Sequence, residues 1–299
     1  MKVLILGLDG LDGVLVERWG IKEYMQLYHG SHDVTVAVKP GEPLYTPLIW
    51  AAFLLGKPAY HYGFTFSRID MEKQKAAYGI LSPLYVIRLK LFGRRKLGIR
   101  RLLAKLGIYN VKKAVEKAYE IEVLPKEAMG DVLTEVAKGL GFKVWVKEFP
   151  GLGDPKYAEV RVTFSHYLDL PLKDRLRKLD EIYEYSINML RESVNALRDH
   201  DLVLYYTALP DEANHMLYRP RNLKLMTLLA TYYKKLAKQI SSFISGLTNT
   251  AVLMVSDHGY DPSKHEHSEV GFWGLNIKPP YTPRTILDFK ELILMLLKQ

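Results

Sequence analysis

Val3-Leu4-Ile5-Leu6-Gly7-Leu8-Asp9-Gly10 opens the chain with a short apolar run that ends in a carboxylate. The same arrangement returns twice. Leu202-Val203-Leu204-Tyr205-Tyr206 leads to Asp211-Glu212-Ala213-Asn214-His215, and Val252-Leu253-Met254-Val255 leads to Ser256-Asp257-His258-Gly259. Runs this short, apolar throughout and rich in branched residues, read as strands buried on both faces. In an open α/β sheet the ligand crevice lies beyond the carboxyl ends of the strands. Oxygen and imidazole ligands would therefore collect there, as a two-metal site requires. Asp211 and His215 are four apart, so a helix starting at Asp211 puts both on one face, within reach of one ion. Asp257 and His258 are adjacent and would diverge along a strand, which places them in the turn after it, with Gly259 easing the turn.

A fourth stretch, Tyr45-Thr46-Pro47-Leu48-Ile49-Trp50-Ala51-Ala52-Phe53-Leu54-Leu55-Gly56, has the grammar of a buried helix: a hydroxyl at the N-cap, Pro at the first helical position, an apolar body and Gly just past the end. Thr46 is read in two ways. It caps the helix, or it is a nucleophile whose attack is favoured by the positive end of the helix dipole. The nearby carboxylates and imidazoles favour the second reading.

The remaining pattern alternates helix and strand. Lys126 to Leu140 reads as a helix leading to a strand at Lys143–Val146. Leu172 to Arg198 and Leu223 to Leu247 read as long helices ahead of the second and third ligand-bearing strands, and Leu287 to Leu297 as a closing helix. The expected fold class is α/β, a doubly wound, mostly parallel sheet with helices on both faces. It fits one domain over 1–299, carrying a small basic helical insertion or cap at about 80–120.

With these motifs in place, the chain resembles the alkaline phosphatase superfamily, and more closely its type I phosphodiesterase / nucleotide pyrophosphatase branch. The motifs follow the family's order: Leu6-Gly7-Leu8-Asp9-Gly10, Thr46-Pro47 with Trp50 and Gly56-Lys57, Asp211 with His215, Ser256-Asp257-His258-Gly259, then His267 four residues before Gly271. The resemblance implies a first metal held by Asp9, Thr46, Asp257 and His258, and a second held by Asp211, His215 and His267. It implies Thr46 as nucleophile, a phospho-threonine intermediate and an anionic phosphate-ester substrate. Mixed carboxylate and imidazole sets favour zinc, with manganese or iron as alternatives.

Other residues compete for these roles. His267 lies in the polar stretch Pro262-Ser263-Lys264-His265-Glu266-His267-Ser268-Glu269, which reads as a surface loop, and His265 is its alternative. Asp12 reads as a turn or cap residue. His29, His32, His166 and His200 lack ligand-spaced neighbours and read as structural or exposed. His61 falls one position off the family's His-Gly. Where nucleotide-cleaving members place an Asn, this chain has Phe64-Thr65-Phe66-Ser67-Arg68, leaving Ser67 or Arg68 as substitutes.

Composition narrows the function classes. At 299 residues and 48% hydrophobic, the chain can bury a sizeable core. No run reaches the roughly 18 apolar residues of a membrane helix, and the sequence starts directly with a strand, so a cytoplasmic enzyme is expected. The absence of Cys excludes disulfides and thiolate chemistry, and removes the residue that most sulfatases of the superfamily convert to their catalytic aldehyde. The net charge of +9 is local: Arg88 to Lys117 holds eleven Lys or Arg against one acid, Glu116. Elsewhere 31 basic residues face 32 acidic ones. That stretch reads as a solvated helix pair, a cap that attracts anionic substrate, or a surface resting on anionic lipid. Its aromatics, Phe92 and Tyr109, are too few for stacking on nucleic-acid bases. The expected function is metal-dependent hydrolysis of phosphodiester or phosphoanhydride bonds through Thr46. Phosphomonoester or phosphonate hydrolysis, phosphoryl transfer, and a non-catalytic, metal-stabilised binding protein are the alternatives.

Overall fold

The computed structural model describes residues 1–79, 109–110, 120–152 and 170–299, with the single positions 82, 83, 85, 87, 91, 113 and 117. The basic insertion expected at about 80–120 and His166 lie outside the described residues, apart from those single positions, 109–110 and 120. The chain runs β1 (Lys2–Leu8), α1 (Gly13–Arg18), α2 (Lys22–Met25), β2 (Tyr28–Asp33), α3 (Thr46–Leu55), α4 (Phe66–Tyr78), α5 (Leu133–Gly139), β3 (Val144–Val146), α6 (Leu172–Ala196), β4 (Leu202–Thr207), α7 (Leu209–Leu217), α8 (Leu223–Ile244), β5 (Thr250–Val255), β6 (Tyr260–Asp261), β7 (Glu266–His267), β8 (Val270–Leu275) and α9 (Phe289–Leu297).

Six strands form one sheet in the order β2-β8-β5-β1-β4-β3. β1 pairs in parallel with both β4 and β5, and β3 in parallel with β4, while β8 runs antiparallel to β5 and to β2. The three ligand-bearing strands are therefore neighbours, β5-β1-β4, and their carboxyl ends open on one crevice. Alternation along β1 divides the core. Val3 and Ile5 join a cluster with α3, α5 and α9, whereas Leu4, Leu6 and Leu8 join one with α6 and α8. Both faces are covered, as continuous apolar strands require, and the doubly wound, mostly parallel α/β class holds.

Every residue of α3 is buried, and Trp50 is its anchor. The indole meets Phe149, Phe53 and Tyr206 edge-on, with ring centres 5.1, 5.4 and 5.8 Å away.

Local departures from the sequence reading have local causes. The expected helix from Lys126 to Leu140 is a 3-10 turn, Lys126–Asp131, followed by α5, with Val132 extended between them. Gly130, a poor helix former, sits at the break. The closing helix begins only at Phe289, after a 3-10 turn at Ile286–Asp288 held by a Thr285 capping box. Among the described residues no helix is long and apolar enough to cross a membrane.

Replacing Trp50 by Ala would empty the centre of this packing and is expected to destabilise the fold by about 3–5 kcal/mol. Chemical denaturation measures it, and a loss below about 1 kcal/mol would contradict the anchoring role assigned to Trp50.

Candidate active site

Asp9 follows β1 directly and is held there by its own amide, which donates to the Thr207 carbonyl at 3.0 Å. Asp257 and His258 lie in the bend after β5 and are fully buried. The His258 ring places Nε2 at 3.3 Å from Asp9 Oδ1, 3.4 Å from Asp257 Oδ2 and 3.3 Å from the Thr46 hydroxyl. Its other nitrogen, Nδ1, faces the Gly259 carbonyl at 2.9 Å, which leaves Nε2 directed at the centre.

Thr46 corrects the helix grammar. That grammar puts Thr46 at the N-cap, but Tyr45 is the cap residue, and its carbonyl accepts from the Leu48 and Ile49 amides at 2.8 and 3.2 Å. Thr46 is the first helical residue, next to Pro47, and no side chain caps the helix. Its hydroxyl turns instead to His258.

The second group is carried by α7. Asp211 sits in its first turn and His215 four residues on, with His215 Nε2 3.5 Å from Asp211 Oδ1. His267 completes it. It belongs not to a plain loop but to the two-residue strand β7, where it pairs with Tyr260 of β6. The pairing fixes the imidazole flat against His258, with ring centres 3.7 Å apart and planes within 11°. Ligand atoms of Asp211, His215 and His267 lie within 4.8 Å of one another, as do those of Asp9, Asp211 and His258. The structure thus brings together all seven sequence-derived residues, and Asp211 belongs to both groups.

The other candidates fall elsewhere. Asp12 caps α1 by accepting from the Leu15 amide at 2.9 Å and also accepts from the Tyr260 amide at 3.1 Å. His265 faces the Tyr260 hydroxyl at 3.4 Å. His61 is exposed beside Tyr60, Ser67 donates to Glu42, and Arg68 donates to the Gly63 carbonyl. His29 is exposed, His200 is part-buried against the Ala196 carbonyl, and His32 is buried edge-on to Phe289.

Several residues without any local sequence signal hold the ligands in place. The Tyr206 hydroxyl donates to Asp9 Oδ2 and links that carboxylate to Trp50. Asn214, fully buried between Asp211 and His215 in sequence, donates to the Gly10 carbonyl at 2.7 Å and accepts from Tyr233 at 2.9 Å. Gly10 itself adopts φ +63°, donates its amide to Asp257 Oδ1 at 3.1 Å, and leaves no space: a Cβ there would lie 2.6 Å from the Asp211 Cβ. Gly259 is needed for a similar close approach, to the Ser268 hydroxyl at 2.8 Å, rather than for the turn itself.

The charge pattern suits cations. Asp9 Oδ1 and Asp257 Oδ2 are buried and accept no well-formed hydrogen bond. Burial opposes ionisation of Asp9, but its contacts with His258 and Tyr206 outweigh this and bring it down to about 2. Burial, then the adjacent Asp9, pushes Asp257 well above the carboxylate range. Burial disfavours the His258 imidazolium, yet Asp257, Asp9 and Asp211 lift it to about 10. Burial, with His258 and His215 alongside, pushes His267 well below its ordinary value. Carboxylate oxygens without a well-formed hydrogen bond, gathered beside His258 and a His267 imidazole that burial keeps neutral, fit zinc or manganese, whose sites mix these donors.

Residues 108–274 match the model of the family described as type I phosphodiesterase / nucleotide pyrophosphatase. That stretch contains Asp211, His215, Asp257, His258 and His267, while Asp9 and Thr46 lie ahead of it. No curated protein matches the chain in sequence. Among solved structures, a protein from Pyrococcus horikoshii aligns over 99% of this chain and 97% of its own at 12% identity, with a TM-score of 0.44. Alkaline phosphatase from the Antarctic bacterium TAB5 aligns over 99% and 97% at 13% identity, with a TM-score of 0.43.

A metal ion bound here would have to displace the proton that His258 holds in the metal-free protein. With His258 titrating near 10, that competition weakens as pH rises from 6 to 9, so zinc affinity should increase about tenfold per pH unit for each proton released. Calorimetry in buffers of different ionisation enthalpy reads the proton count. Affinity independent of pH, with no proton release, would contradict the assignment.

Proposed function

The chain belongs to the type I phosphodiesterase / nucleotide pyrophosphatase family, a metal-dependent family of phosphoryl hydrolases, and on that premise we propose that it cleaves phosphodiester or phosphoanhydride bonds by attack of Thr46. The observation that carries this reading is the Thr46 hydroxyl, free of capping duty and 3.3 Å from His258 Nε2 in a buried cluster with Asp9 and Asp257. Asp9, Thr46, Asp257 and His258 would hold one divalent ion, and Asp211, His215 and His267 a second. Zinc is the metal the donor set favours, with manganese the alternative. When bound, such ions supply Lewis-acid charge that lowers a hydroxyl pKa and neutralises phosphoryl oxygens.

The chain's own residues do the rest. The apolar body of α3, packed through Trp50, holds Thr46 rigidly at the positive end of a helix dipole, where an oxyanion is stabilised. Tyr206 and the Gly10 amide keep Asp9 and Asp257 turned into the centre. Thr46 Oγ1 attacks phosphorus, the bond to the leaving group breaks, and water then hydrolyses the phospho-threonine to restore the hydroxyl. The basic stretch from Arg88 to Lys117 follows α4 in sequence, and as an insertion at about 80–120 in a single domain it would draw anionic esters toward the crevice. The cysteine-free composition suits a reducing compartment such as the cytoplasm.

Thr46→Ala should lower turnover of a nitrophenyl diester by at least about 10³-fold while keeping the fold, and Thr46→Ser should keep part of the activity, because attack needs only the hydroxyl. Acid-quenched turnover followed by peptide mass spectrometry should find phosphate on residue 46. An Ala variant that works at near wild-type rate would place the nucleophile elsewhere.

A further inference from the structure

Both flanks of the 80–119 segment return to one tyrosine. α4 leads into that segment and Glu122 lies just beyond it, and each sends a charged side chain to Tyr45. Lys73 Nζ donates to the Tyr45 hydroxyl at 3.0 Å and to Glu122 Oε1 at 2.9 Å, and the Tyr45 hydroxyl donates to that same Glu122 oxygen. The cluster is largely withdrawn from water, with side-chain exposure of 27% for Lys73 and 11% for Glu122.

The start of α4 is fastened to the same loop. Glu42 accepts from the Phe66 and Ser67 amides at 2.9 and 3.0 Å, and the Phe66 ring meets the Tyr45 ring edge-on at 5.3 Å. On the far side, Leu124 donates its amide to the Gly151 carbonyl at 2.9 Å, which fixes the strand-like piece that carries Glu122.

Tyr45 immediately precedes Thr46. As the extended N-cap of α3, at φ −142° and ψ 117°, it sets the direction from which the chain enters the helix, and hence where the first helical side chain points. Its phenol makes no capping bond. What its three-way contact does instead is pin the entry of the helix from outside the sheet, at the residue next to the proposed nucleophile.

We infer that Tyr45, Lys73 and Glu122 form a latch that positions the Thr46 hydroxyl and ties it to the two flanks of the basic insertion. They act through Thr46 and are positioning residues. Orientation of a reacting group is worth a great deal: a displacement of about 1 Å can cost on the order of 10²-fold in rate. The latch thus makes the joining of the two flanks, through Lys73 and Glu122, a condition for full activity, and the inference rests on the reading of Thr46 as nucleophile.

The test uses the full-length, metal-loaded enzyme and a small soluble diester, bis(p-nitrophenyl) phosphate. Lys73→Met should lower kcat by about tenfold or more and slow phosphorylation of Thr46 in the burst phase, with KM within about twofold and metal content unchanged. Lys73→Arg, which keeps a donor for both partners, should restore most of kcat. Tyr45→Phe removes only the hydroxyl, and adding it to Lys73→Met should bring little further loss, because both break one unit. A Lys73→Met enzyme with wild-type kcat overturns the latch, as does one whose kcat, metal content and melting temperature fall together without rescue by Arg. If Lys73→Met fails to fold, Tyr45→Phe alone decides by the same kcat and burst criteria. Activity in Thr46→Ala defeats the nucleophile reading itself, whereas an inactive Thr46→Ala beside a wild-type Lys73→Met defeats the latch alone.

Discussion

Buried carboxylates need positive charge, and the architecture of this chain follows from collecting them at one place. Asp9 and Asp257 face the same His258 nitrogen from the ends of neighbouring strands, each with an oxygen that accepts no well-formed hydrogen bond. Leaving an ionised carboxylate in that state costs on the order of several kcal/mol, and like charges side by side add to it. Both groups are pushed toward their protonated forms, Asp257 by burial and the adjacent Asp9, and His258 by facing carboxylates that outweigh its burial, and this relieves the strain. A divalent ion held by these residues would relieve it further. Tyr206, the Gly10 amide and Asn214 hold the residues around this point rigidly by hydrogen bonds.

That rigidity is built from contacts of long sequence range. Three parallel strands side by side fix where Asp9 and the Asp257–His258 pair emerge, and the chain after β4 folds at once into α7, which carries Asp211 and His215 on one face. Gly10 lets α7 come close enough for Asp211 to reach both ligand groups, and Asn214 and Tyr233 lock that approach with hydrogen bonds. On the opposite face of the sheet, Trp50 couples α3 to Tyr206 and so to Asp9. The helix that begins at Thr46 and the Asp9 carboxylate thus share one aromatic cluster.

The sheet and five of the seven candidate ligands were legible because Asp9, Asp211, His215, Asp257 and His258 each sit directly after an apolar run buried on both faces, or on the helix that follows it, whereas Thr46 heads an apolar helix and His267, in a polar stretch, is marked only by its spacing to Gly271. What the sequence leaves open has equally physical reasons. Pro47 is compatible with a cap at Thr46 or at Tyr45, so only the structure separates a capping hydroxyl from a free one. β7 spans two residues, too few for any period, and its charged neighbours hide it in a stretch that looks like loop. β2 is an edge strand of Tyr28, two His, Gly, Ser and Asp, paired on one side with β8, and carries no apolar alternation. Tyr206, Asn214, Tyr233 and Tyr45 act through partners that chain order does not reveal. Only the position of Tyr206, a polar-tipped aromatic at the carboxyl end of a ligand-bearing strand, offered a hint.

The stereochemical course at phosphorus tests the central claim most directly. Hydrolysis of a diester made chiral at phosphorus with sulfur and isotopic oxygen reports the number of in-line displacements. Attack by Thr46 followed by attack of water makes two, and the account predicts net retention of configuration. Net inversion would mean that water attacks the substrate directly, and would contradict a threonine nucleophile whatever the metal content.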